Sequence, residues 1–125
     1  MEETKKEQYR VEYEEFLNEY KAGVTDGSRV GEVISRLASH YTNINLSHAI
    51  ALINFNNVAK EIECTVDEDS GKAISSSKAK VIANGTVESA KLIIAKAHLE
   101  SVEQIINALK ALQRGLINDY NNSGL

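Results

Sequence analysis

The chain has no proline and no tryptophan, a single cysteine, a single methionine, and as aromatics only five tyrosines and two phenylalanines among 125 residues. Each shortage excludes something. Without proline the usual helix stops and proline-bearing turns are missing, which favours long uninterrupted helices over strands. The lone thiol, Cys64, cannot close an internal disulfide. An excess of positive charge is also lacking: 14 basic against 18 acidic residues give a formal charge of −4, without the basic balance typical of a nucleic-acid binder. The opening MEETKKEQYRVEYEE is charged where a secretory signal carries an apolar core, so the expected location is the cytoplasm. The sequons at Asn45, Asn84 and Asn121 then have no role, since an Asn-rich chain produces such triplets by chance.

What is present is alanine, 13 residues of it, within a hydrophobic content of 42% that is ordinary for a globular chain. Length and composition predict one all-α domain over residues 1–125. In the first segment Tyr9, Tyr13, Phe16, Leu17 and Tyr20 recur at helical spacing among Glu and Lys, which predicts an amphipathic helix over about 4–21. Gly23 then supplies a helix end, and Thr25, Asp26 and Ser28 are cap candidates for the next helix.

From Val30 a stripe runs through Ile34, Leu37, Tyr41, Ile44, His48, Leu52, Phe55 and Ala59 to Ile62, alternating steps of three and four, and predicts a second helix over about 29–62. No Asp, Glu, Lys or Arg stands between Arg36 and Lys60. Within that stretch Leu46, Ile50 and Ile53 lie about half a turn from the main stripe at ~100° per residue, so both faces of the helix want cover. Asn43 and Asn57 flank the three as candidate register-fixing hydrogen-bonders. A membrane span competes for such an uncharged run, but Asn43, Asn45, Asn54, Asn56, Asn57, His40 and His48 make insertion too costly.

The acidic, glycine-bearing stretch 64–73 should reverse the chain. Its Gly71-Lys72 next to a run of serines suggests a phosphate-binding loop, but the first glycine of that motif is missing, Ala73 follows the lysine, and no strand precedes it. Asp67, Glu68 and Asp69 fail as a calcium loop because Gly71 comes one position early and the closing ligand position holds Lys78. SGKAISSSKAK fits a helix start instead, with Ser75 or Ser76 as the cap and Ala79, Ala83 and Gly85 as small residues that let a helix approach.

A third helix is predicted over about 75–120, with a possible break at 84–86 where Gly85 ends one turn and Thr86 caps the next. Leu92, Ala95, Leu99, Val102, Ile106, Leu109, Leu116 and Tyr120 form its stripe, widened by Ile94, Ile105, Ala108 and Leu112. A turn centred near residue 69 would set Val30 beside Ala108, so that this helix overhangs its neighbour by about twelve residues, ~18 Å. The overhang carries Leu109, Leu112, Leu116, Ile117 and Tyr120.

The chemistry-bearing residues point away from catalysis. His40, His48 and His98 have no Glu-x-x-His or His-x-x-x-His companion, and Cys64 sits among Glu61, Glu63, Asp67 and Glu68, which oppose thiolate formation. No cofactor or metal is expected. Lys72, Lys78, Lys80, Lys91 and Lys96, with only Glu88 against them, are the candidate nucleic-acid contacts, but no aromatic interleaves them for base stacking and a solvated face is the stronger reading.

The segment from Ser75 through Ala79, a Ser-x-Ser-Lys-Ala helix start, and the Ile-x-Ala-Leu-x-x-Leu-Gln-x-x-Leu ending from Ile106 to Leu116 resemble small all-α proteins encoded by phages and prophages. The resemblance covers about a third of the chain. It implies a non-enzymatic accessory role, beside single-strand annealing or in virion assembly, in the host cytoplasm or as a virion component. Together these readings predict a long antiparallel helical hairpin with an additional N-terminal helix, completed into a bundle by oligomerisation. The first helix is too short to cover both Leu46, Ile50 and Ile53 and the set Leu109, Leu112, Leu116 and Tyr120. One of the two is therefore expected to form a homo-oligomer contact, a dimer most simply, or to dock a larger protein.

Overall fold

A computed structural model describes residues 7–123, with side chains through 119. Among the described residues the chain is all-helical, with four helices and no strand: α1 Gln8–Lys21, α2 Gly27–Glu63, α3 Ser76–Asn84 and α4 Val87–Ser123. It folds as two compact units, Met1–Asn43 with Glu100–Leu125 and Ile44–Leu99.

The helix ends follow local chemistry. Gly23, at φ 76°, takes the left-handed conformation just beyond α1. Of the three cap candidates for α2, Asp26 serves: its carboxylate accepts from the Arg29 N–H at 2.9 Å. The Ser75 hydroxyl caps α3 by accepting from the Lys78 N–H at 3.2 Å. Between α3 and α4 stand Gly85 and Thr86. Gly85 closes α3, and the Thr86 hydroxyl donates to the Ala83 carbonyl at 2.7 Å while accepting from the Ser89 N–H at 3.2 Å, so one side chain ends one helix and starts the next.

In the first unit the core combines Tyr9 and Phe16 of α1, Val30, Val33 and Leu37 of α2, and Val102 and Leu109 of α4, all buried. Val33 lies off the sequence stripe. It is buried because α2 has neighbours on two sides here: α1 is tied to it through Arg29–Glu19 and His40–Glu12, and α4 through Tyr41–Glu103. Arg29 grips Glu19 with two hydrogen bonds, at 2.7 and 3.0 Å. That pairing holds the Glu19 carboxyl below its ordinary range and raises the Arg29 guanidinium further.

The α2–α4 register in this unit differs from the expected one. A turn centred at 69 sets Tyr41 beside Ala97, whereas its hydroxyl donates to Glu103 at 3.0 Å, and Gln113 donates to the Gly27 carbonyl at 3.2 Å. The reason is that α3 is a separate helix, so α4 does not simply continue from the turn. With Gly27 level with Gln113, the overhang of α4 is shorter than predicted.

The second unit contains the later part of α2, the turn, α3 and the first part of α4. The turn is held by an isolated bridge between Val66 and Ala73, with Asp67 N–H donating to the Lys72 carbonyl at 2.7 Å and Gly71 N–H to the Asp67 carbonyl at 2.8 Å. Gly71 takes φ 68°, a turn geometry that glycine adopts without strain. Inside this unit only Ala79, Ala83 and Ser89 are buried. Two expected core members are exposed instead, Leu52 of the α2 stripe and Ile94 of the α4 stripe. With small residues at the centre, the unit has no deep interior for them to enter.

Candidate assembly surface

The second unit leaves ten large aliphatic side chains exposed. Leu46, Ile50 and Ile53, placed by the sequence on a second face of α2, are 61%, 51% and 58% exposed in the single chain. Their i, i+4, i+7 spacing sets them in one line along the helix. On α4, Val87 and Ile94 are also exposed, and with Lys91 between them they repeat that spacing. Ile50, Asn54 and Asn57 from α2 and Glu88 and Lys91 from α4 line one open groove of about 400 Å³. Ile50 of the first line and Lys91 of the second therefore meet at this groove.

Sequence reasoning missed several other exposed aliphatic side chains of this unit. Val81, Ile82, Val87, Ile93 and Ile94 are all exposed. The signal was present in Leu92-Ile93-Ile94, because three consecutive aliphatics cannot share one face of a helix.

The overhang residues fare differently. Leu109 is 2% exposed and belongs to the core of the first unit, so it is withdrawn from the candidate contact set: the shifted register places it within the bundle. Leu112 and Leu116 are half-buried, Ile117 is exposed, and the Tyr120 side chain lies outside the described residues.

The candidate nucleic-acid lysines stand on the turn, α3 and α4. Lys78 is engaged by the turn, its ammonium donating to Asp67 at 2.9 Å and Asp69 at 3.2 Å. This pairing lowers the Asp67 pKa, helped by the Asp69 N–H, and raises that of Lys78. Lys72 is exposed within the turn, Lys80 lines a shallow hollow with Phe55, Ala59 and Glu63, Lys91 lines the groove, and Lys96 is exposed.

Among the described residues no three His, Cys, Asp or Glu side chains stand together in a way that could hold a metal ion. His40 pairs with Glu12 at 3.1 Å, His48 and His98 are half-buried, and Cys64 is exposed just past the end of α2. No helix of the described residues is long and apolar enough to cross a membrane. No protein-family model, curated protein or solved structure matches the chain.

Proposed function

We propose that this chain works by assembly, without catalysis or a cofactor, and that the apolar surface of the second unit is where it makes contact. One observation carries the reading: across Ile44–Leu99 the buried residues are two alanines and a serine, while ten large aliphatic side chains are exposed. A unit of this size needs most of its apolar surface out of water to be stable, and exposed patches of this kind mark interfaces. Half-burying each of those side chains in a contact contributes on the order of 1 kcal/mol, so a handful of them supports association.

The partner is a second copy or a larger protein, and the contact completes a helical bundle. The resemblance of Ser75–Ala79 and Ile106–Leu116 to phage and prophage proteins extends this to an accessory or structural role in such a system, in the host cytoplasm or in a virion. A nucleic-acid role for Lys72, Lys78, Lys80, Lys91 and Lys96 is the second reading. It is weakened because Lys78 already spends its charge on Asp67 and Asp69.

An environment-sensitive apolar dye tests the surface itself. Dilute parent protein should bind the dye, and replacing Leu46, Ile50 and Ile53 together by serine should lower that signal while the helical spectrum stays unchanged. A dilute parent that binds no dye would overturn the reading. Salt-dependent binding of a short single strand would instead favour the lysines.

A further inference from the structure

We infer that the occupant of the groove is a second copy of this chain, with the Leu46, Ile50, Ile53 ridge of each copy lying antiparallel in the α2–α4 groove of the other and Ile50 beside the two-fold axis. This inference rests on the assembly reading above and names its partner.

Charge selects the partner. The groove side of α2 is uncharged from Ile44 to Ala59. In an isologous contact the same patch of both copies meets itself, so a patch carrying one sign of charge would repel itself and a neutral one does not. A charged partner would give up its hydration against α2 and find no counter-charge on that ridge. The ionic groups lining the groove, Glu88 and Lys91, are of opposite sign, so the lining carries no net charge.

The α2 ridge carries no charge, and it takes the central position.

Shape agrees. A ridge of side chains at i, i+4 spacing packs into the groove between neighbouring rows, and here a ridge and a groove adjoin on one surface. A two-fold axis lets each copy give its ridge and receive the other's, with Ile50, which belongs to the ridge and also lines the groove, at the centre.

Orientation follows from the end of α2. In a parallel arrangement Lys60 would lie beside Lys60 of the second copy and Glu61 beside Glu61. The antiparallel arrangement sends these residues to opposite ends of the contact and brings Ile50 next to its own copy.

The test uses the full chain with Ile50→Lys and Ile50→Glu, followed by light scattering at micromolar concentration. Ile50 is half exposed in the single chain, so neither change should unfold it, and circular dichroism verifies this. The parent should have the mass of two chains and each variant alone the mass of one. An equimolar mixture of the two variants should have the mass of two again, because the ammonium introduced in one copy then faces the carboxylate introduced in the other. A monomeric parent overturns the inference while leaving the dye result, and with it the surface reading, intact. Variants that keep the two-chain mass overturn it too, as does a mixture that stays monomeric.

Discussion

Gly31 of α2 faces Gln113 of α4 so closely that a Cβ on the glycine would lie 2.9 Å from the Gln113 amide nitrogen, the same nitrogen that donates to the Gly27 carbonyl. The missing side chain admits the hydrogen bond that ties the two helices. Since the obstructing atom is the far end of a flexible side chain, Gly31→Ala should displace the amide and lose a bond contributing about 1 kcal/mol. It should regain about as much from helix propensity. The net change in urea unfolding should be close to zero. Gly31→Leu has no such escape and should cost about 1 to 3 kcal/mol through overpacking.

The Thr25 hydroxyl is buried and has no hydrogen-bond partner. Asp26 has taken the capping role for which Thr25 was also a candidate. Thr25→Val keeps the shape and removes an unsatisfied polar atom, so it should be neutral or raise stability by up to ~1 kcal/mol. A loss greater than ~1 kcal/mol in thermal or urea unfolding would show that the hydroxyl has a partner in solution.

The acidic turn should respond to pH through Asp67. Lys78 and the Asp69 N–H favour its carboxylate, so its folded pKa lies below the ordinary 3.8. The resulting stabilisation is fully present above 3.8 and is lost as pH falls through the lower folded value. Lys78, raised above 10.5, loses its share only as pH climbs through that higher value. At neutral pH both contributions are intact. Lys78→Ala should move the Asp67 titration, followed by NMR, upward toward 3.8. Lys72→Ala should leave it and the fold unchanged, and should abolish no ATP binding.

The helices were legible in the sequence because their signals are local. The three-and-four spacing from Val30, the serines before Ala79 and the Asn84-Gly85-Thr86 break each state their structure within a few residues. The α2–α4 register was not, because it depends on α3 standing apart from α4, and a turn centre counted from residue 69 cannot show that. Leu109 was consequently assigned to a contact face when it fills the core. Leu52 and Ile94 failed for a related reason: period alone marks a side as apolar, but depth comes from what packs against it, and alanines pack there.

The contrast between Leu37 and Ile50 gives the last expectation. Leu37 is fully buried in the first unit, so Leu37→Ala should cost about 2 to 5 kcal/mol at every protein concentration. Ile50 is half exposed in the single chain, and truncating it should cost under ~1 kcal/mol when the protein is dilute. At concentrations where copies associate, the same Ile50→Ala change removes a buried side chain and its cost should rise to about 2 to 4 kcal/mol. Urea unfolding of parent and both variants over a roughly hundredfold range of concentration measures this, since stability that depends on association grows with concentration. An Ile50→Ala cost that stays small and constant while the parent itself gains stability with concentration would mean that the copies meet elsewhere, with Leu112, Leu116 and Ile117 as the remaining candidates.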